Sequence, residues 1–237
     1  MKTFIIILTL LIFHLLPVKA DSDIDGKTVS FTQFINEMAK CSRYTTFENV
    51  KIRYMMPEDK TGMDGRFNGG AGELYIKSSI RLVNCEFDGD YWLVLRNITF
   101  LDYFAITNST PIKAIFKECT FKKTLRIYNC EVDFIDLDSC RLEHGFKFFR
   151  NTVKDRLTIK NSFITVNTSL FGDTDALDME PRLFRLSNKQ DGFDLVIQNT
   201  VFELPENLRN DPQFFIILTE SDFKNLSFTQ NTVNANL

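Results

Sequence analysis

From residue 82 onward one short phrase keeps returning. It reads apolar residue, any residue, Asn or a polar relative, a residue that is often small, any residue, apolar residue. Copies are Leu82-Val83-Asn84-Cys85-Glu86-Phe87, Leu95-Arg96-Asn97-Ile98-Thr99-Phe100, Ile106-Thr107-Asn108-Ser109, Phe116-Lys117-Glu118-Cys119-Thr120-Phe121 and Ile127-Tyr128-Asn129-Cys130-Glu131-Val132. Leu137-Asp138-Ser139-Cys140-Arg141-Leu142, Phe149-Arg150-Asn151-Thr152, Ile159-Lys160-Asn161-Ser162 and Ile197-Gln198-Asn199-Thr200 follow. The third position sorts them into two interleaved series. One runs Asn84, Asn108, Asn129, Asn151 at steps of 24, 21 and 22; the other runs Asn97, Glu118, Ser139, Asn161 at steps of 21, 21 and 22. Weaker members extend the first to Asn188 and Glu220, and the second to Asn199 and Asn231. A near-constant period lets equivalent positions stack at the ~4.8 Å spacing of neighbouring strands.

Residues 125–142 carry a finer rhythm. Leu125/Ile127, Cys130/Val132, Ile135/Leu137 and Cys140/Leu142 are apolar pairs, each beginning five residues after the last. Members of a pair are two apart, so both point inward from an extended segment. The residues between them, Arg126, Glu131, Asp136 and Arg141, are all charged and point outward. Four pairs make one four-sided coil. The pattern predicts an all-β chain, a parallel β-helix (β-solenoid) of about six coils.

The five-residue phase, with a small residue two positions before a large apolar one, resembles the pentapeptide-repeat proteins. The match is closest over 125–142 and looser over 80–164 and 193–234. The resemblance implies a right-handed, four-sided β-helix. Coils of 21–24 residues and large/large pairs on alternate sides depart from that family's pattern, so a less regular parallel β-helix is the alternative. Some pentapeptide-repeat proteins mimic DNA and bind topoisomerases, which the resemblance brings in as an alternative function.

Stacking makes further expectations. Lys117, Asp138 and Lys160 fall at one outward position on successive coils, a charge column. Cys85, Cys119, Cys130 and Cys140 fall at the small inward position, where a cysteine packs as a small hydrophobe. The competing reading is a disulfide between Cys119 and Cys140, one coil apart. The Asn positions read as corners, because Asn tolerates left-handed backbone and hydrogen-bonds along a column. At the N-terminal end, Ser30 and Gln33 form a capping box and Val29 and Phe34 a staple. Phe31, Phe34, Ile35 and Met38 then mark the apolar face of a short helix over 30–40, predicted to plug the first coil. The C-terminal end, Asn231 to Leu237, carries no comparable cap.

Composition changes the picture mainly at the start of the chain. Lys2 precedes an apolar run from Phe4 to Leu16, and Pro17-Val18-Lys19-Ala20 supplies a small-residue cut ahead of Asp21. That layout predicts a secretory signal peptide over 1–20, hence a secreted or periplasmic protein. The run is short of the ~20 residues needed to span a bilayer, and no later segment is long and apolar enough to do so. The domain organisation is then 1–20 signal peptide, 21–79 cap helix, first strands and loop, and 80–237 solenoid with insertions at 165–187 and 203–215. Without Lys2 and Lys19 the chain has 26 basic residues against 31 acidic ones. An acidic exported chain is not expected to bind nucleic acid, which rewards basic patches.

Candidate chemistry is sparse. Asp21, Asp23 and Asp25, followed by Gly26, match the opening of a calcium-binding loop, but Thr32 stands where its bidentate Glu belongs. His144 is the single histidine after the leader and falls in a turn, which leaves a Ser-His-Asp site without a base elsewhere. Asp136 and Asp138 share one direction on a strand, the paired carboxylates that glycoside hydrolysis needs, yet both are also ordinary outward positions. Three long segments, 55–72, 165–187 and 203–215, interrupt the repeat at one corner of the cycle. Loops on a rigid scaffold often carry function, so Asp64, Arg66, Phe67, Asp173, Asp175, Asp178, Arg182, Arg209 and Asp211 are the candidate binding residues. The expected function is a noncatalytic exported binding or scaffold protein facing a protein or glycan of the cell envelope. It needs no cofactor, with Ca²⁺ the one candidate. The alternative is a carbohydrate-active β-helix enzyme of the polysaccharide lyase or glycoside hydrolase type.

Overall fold

Alternation with period two, sustained through most of the chain, forces extended backbone with one apolar face. The computed structural model describes residues 20–55, 63–64, 74–88, 90, 92–165, 184–188, 192–203, 217–219 and 223–234. Within them the chain is all-β apart from one helix, and its strands form curled sheets in which neighbours run parallel. Residues 1–19 and most of the insertions lie outside the described residues, and no helix among those residues is long and apolar enough to cross a membrane.

The strands stack in four ladders. The first joins Ala20–Asp21, Thr45–Glu48, Ile80–Val83, Phe104–Thr107, Leu125–Tyr128, the front of the long strand Phe146–Lys160, Phe184–Asn188 and Ile217–Thr219. The second joins Thr28–Ser30, Lys51–Arg53 and Glu86–Phe87, with a bridge from Glu86 to Thr110. The third joins Met63–Asp64, Leu93–Arg96, Ile112–Lys117, Glu131–Asp138, the rear of Phe146–Lys160, Phe193–Gln198 and Phe223–Thr229. The fourth joins Leu74–Ile76, Ile98–Phe100, Thr120–Phe121, Arg141–Leu142, Phe163–Thr165, Val201–Glu203 and Thr232–Asn234. The insertions are narrower than expected. Thr165 and Glu203 end strands, and Phe184–Asn188, assigned mostly to the second insertion, keeps the alternation Phe-Arg-Leu-Ser and pairs in the first ladder.

All eight apolar members of the 125–142 rhythm are buried. Phenylalanines fill the centre: Phe100 stacks flat on Phe121 at 4.9 Å between centroids, and Phe116 meets Phe121 edge-on at 5.7 Å. The charge column is in register, with Lys117 beside Asp138 and Asp138 beside Lys160.

The corners explain the Asn series. Asn49, Asn84, Asn97, Asn108, Glu118, Asn129, Ser139, Asn161 and Asn199 all have left-handed backbone, with φ between 48° and 56°. Such backbone costs most L-residues roughly 1–2 kcal/mol and Asn less, and the Asn side chains add rungs of their own. Asn129 donates to Asn108 at 2.8 Å, and Asn199 donates to Asn161 at 2.9 Å. Two series members are displaced by one residue. The left-handed corners are Arg150 and Gln230, both at φ 56°, while Asn151 and Asn231 occupy the next position inward.

That next position has its own chemistry. It is filled by Cys85, Ser109, Cys130 and Asn151 on one corner column and by Cys119, Cys140, Ser162, Thr200 and Asn231 on the other. Its side chain accepts from the backbone N–H of the preceding rung: Cys85 donates to Ser109 Oγ, Cys130 to Asn151 Oδ1, Cys140 to Ser162 Oγ and Thr200 to Asn231 Oδ1, at 2.9–3.1 Å. It also donates to a carbonyl of that rung, as Cys140 Sγ does to Phe116 O at 3.2 Å and Asn151 Nδ2 to Ile127 O at 3.0 Å. Where this position is polar, its residue is small and able both to donate and to accept, whereas Val50 and Ile98 fill the positions after Asn49 and Asn97 with apolar side chains. Thiol, hydroxyl and amide all qualify, which is why the four cysteines sit there.

All five cysteines are free thiols, and Cys119 and Cys140 neighbour each other on one column. Burial pushes the Cys85 thiol up to about 11 and the Cys130 thiol up to about 12, and raises Cys140 well above its ordinary value. Since the thiolate is the reactive form, a thiol reagent at pH 8 is expected to label half-buried Cys41 first and the other four only after unfolding. Titration in denaturant should then count five thiols; a count of three would mean a disulfide.

The helix α1, Phe31–Lys40, follows the second-ladder strand Thr28–Ser30 and replaces the third and fourth ladders in that first passage. Ser30 caps it, its Oγ accepting from Gln33 N at 3.1 Å. Phe31, Phe34, Ile35 and Met38 are buried, and Phe34 meets Phe47 edge-on at 5.7 Å. The last described strands differ. Leu226, Phe228 and Val233 are 52%, 41% and 47% exposed, although their partners one rung back, Leu195, Ile197 and Phe202, are buried.

Candidate anion-binding groove

The outward residues of the first ladder form two columns. One reads Thr46, Arg81, Ala105, Arg126, Lys147, and the other Glu48, Val83, Thr107, Tyr128, Phe149. Ala105 and Thr107 share a rung and are small, while the rungs beyond carry Tyr128 and Phe149. Small side chains between large ones leave a recess of about 620 Å³. The connections that enter the first ladder complete it with Arg43 and Tyr44, Lys77 to Ser79, and Asp102 and Tyr103.

Four basic residues line the recess, Arg43, Lys77, Arg81 and Arg126, against one carboxylate, Asp102. This inverts the charge of a chain with 28 basic and 31 acidic residues. Arg is suited to oxyanions, offering several N–H donors in a planar fork. The aromatic lining is held by cations behind it: Arg150 donates to Tyr128 Oη at 2.9 Å and lies over its ring, and Lys123 lies over the Tyr103 ring at 5.8 Å. Tyr128 packs on Phe149 at 4.6 Å. Serine 78 is tied down, its Oγ donating to Cys41 O at 2.7 Å. Neither histidine nor a second carboxylate is among the described lining residues. The arrangement can hold an anion with sugar-like or aromatic bulk.

None of the expected site residues is among the described lining of the groove. Asp64 lies in the third-ladder strand Met63–Asp64, beside Arg96 and away from the groove. Arg66, Phe67, Asp173, Asp175, Asp178, Arg182, Arg209 and Asp211 lie outside the described residues. Of the calcium candidates, Asp21 lies in a first-ladder strand. Asp25 fastens a turn, Oδ1 accepting from Glu48 N at 2.8 Å and Oδ2 from Ser22 N at 3.3 Å. Asp23 is exposed beside it, and no group of three or more His, Cys, Asp or Glu suited to a metal occurs among the described residues. Asp136 is engaged by Arg156 through two bonds, at 2.8 and 3.2 Å, and Asp138 accepts from Asn161 at 2.9 Å. That hydrogen bonding to Asp136 raises the Arg156 guanidinium above its ordinary value. His144 sits in the turn between Arg141–Leu142 and Phe146–Lys160, its backbone carbonyl accepting from Thr124 at 3.0 Å.

The groove escaped the sequence reading, which followed the insertions. A signal was present: three residues before each first-series corner stand Arg81, Ala105, Arg126 and Lys147. No family model, curated protein or solved structure matches the chain.

Proposed function

We propose that this chain is an exported, noncatalytic binding protein, a right-handed four-sided β-solenoid of about six coils that holds an anionic ligand in the first-ladder groove. The observation that carries the reading is the concentration of Arg43, Lys77, Arg81 and Arg126 around a recess with one carboxylate, in a chain otherwise acidic. The parallel ladders, with partners 20–24 residues apart over 80–160, support the solenoid. The leader-like start supports export. Asn, Ser and Cys at the corner-adjacent columns support kinship of design with pentapeptide repeats. The enzyme alternative wants two carboxylates across a cleft, and the DNA-mimic alternative wants an acidic face; the groove offers neither.

Residues 21–237 titrated calorimetrically with multivalent anions should bind at low salt and weaken as salt rises, because exposed charges are screened beyond about 10 Å at 0.1 M. Arg81→Glu together with Arg126→Glu should abolish the binding and leave the circular dichroism unchanged. Binding that survives both substitutions would place the site elsewhere.

A further inference from the structure

Resting on that reading, we infer that the ligand is a linear acidic polysaccharide, bearing uronate or sulfate groups, laid across the strands along the direction in which the rungs stack. The basic residues are set at different levels of the ladder, whereas a phosphate or a single carboxylate would want them at one. They are strung out along the ladder. Arg81 and Arg126 stand two rungs apart with Ala105 between them, which at the strand spacing is about 10 Å. Lys147 follows one rung further but is buried and does not line the recess. Lys77 enters from the connection before the rung of Arg81, and Arg43 from the connection before the Thr45–Glu48 rung that precedes it.

The recess reaches from the rung of Ile80 to that of Phe149, with Ser42 to Tyr44 at its near end; the rungs alone span three steps or roughly 14 Å. A ligand that fills it is chain-like. Its charge density is low, one acidic group for about every two rungs on the Arg81 column. A nucleic acid strand carries a phosphate about every 3.4 Å when stacked, far denser than the column can match. An acidic peptide would bind best by adding a strand, but the floor of the groove is the outer face of a sheet. Its backbone donors and acceptors are engaged between rungs, as in Asn84 N to Thr107 O at 3.1 Å and Asn108 N to Tyr128 O at 3.1 Å. What the floor and walls do present is side-chain chemistry: guanidinium forks, tyrosines and the hydroxyls of Ser42, Ser79 and Thr107. Sugars with hydroxyls all round and acids at intervals match that list.

The test uses residues 21–237 and labelled probes: galacturonate oligomers of one to eight residues, heparin-derived oligosaccharides of matching length, neutral maltooligosaccharides, polyglutamate and oligo(dT). Affinity for one of the two acidic series should rise with length and level off once the groove is spanned, with the neutral series at least tenfold weaker. Arg81→Glu and Arg126→Glu should each cost tenfold or more. Ala105→Trp, which fills the notch without altering charge, should cost long oligomers more than short ones. The carboxylate and sulfate series separate the two sources of acid. Equal affinity for monomer and octamer, or tighter binding of polyglutamate or oligo(dT), overturns the polysaccharide inference and leaves an anion site. Failure of every anion to bind overturns the groove reading itself.

Discussion

Asn151→Ala is expected to lower the free energy of unfolding by about 2–6 kcal/mol. Asn151 is wholly buried and does two jobs at once. Its Oδ1 accepts from Cys130 N at 2.9 Å, and its Nδ2 donates to Ile127 O at 3.0 Å. Alanine leaves both backbone groups without a partner inside the core, and each orphaned group costs about 1–3 kcal/mol. Asn151→Ser and Asn151→Cys should cost less, since Ser109 and Cys130 fill the same column and each supplies a donor and an acceptor there. Urea unfolding curves of the four proteins, compared at unchanged slope, check this. If the alanine variant matched the serine variant within about 0.5 kcal/mol, which is the ordinary scatter of surface changes, the column would be packing and not hydrogen bonding.

The same residue marks where the sequence could and could not be read. The period was legible because corners recur at 21–24 residues, and the pattern holds even where Glu118 and Ser139 replace Asn. The phase slipped by one at Asn151 and again at Asn231. The reason is chemical. Asn satisfies the left-handed corner through its tolerance of positive φ, and it satisfies the buried position beside the corner through its amide. A phrase that rewards Asn cannot separate the two demands; only the backbone does, by putting φ 56° on Arg150 and Gln230. The rung of Asn49 was missed for a different reason. It lies 35 residues before Asn84, and the intervening stretch hides the period.

The groove follows from those same facts. Its outward column, Arg81, Ala105 and Arg126, lies three residues before the corners Asn84, Asn108 and Asn129. Arg43, Tyr44 and Lys77 come from connections around the unrecognised rung, where no register was available to place them. Lateral neighbours two coils apart are invisible to a reading that stops at which residues face in. The charge column of Lys117, Asp138 and Lys160 was legible because it sits in the most regular stretch.

Phe34→Ala in the capping helix should cost about 3–5 kcal/mol, as for other buried Phe truncations, and should also make the protein self-associate. Phe34 has no exposed surface and meets Phe47, the first aromatic of the first ladder, at 5.7 Å. The helix it anchors stands where the third and fourth ladders have no strand in that passage. Loosening it uncovers Phe31, Ile35 and Met38 together with the apolar rung beneath them. A stack of parallel strands with an uncovered apolar end is a template for further stacking. Lys40→Ala, on the exposed side of the same helix where Lys40 pairs only with Glu37, should change stability by less than about 0.5 kcal/mol. Thermal unfolding and light scattering of the two variants separate the cases. A Phe34→Ala protein that melts like the parent and stays monodisperse would mean that the first rung does not depend on its helix. That end would then resemble the C-terminal one, where Leu226 and Phe228 already stand exposed. If the prediction holds, the two ends are unequal. Leu226→Lys with Phe228→Lys should then leave the self-association of Phe34→Ala in place, because that association begins at the uncovered first rung.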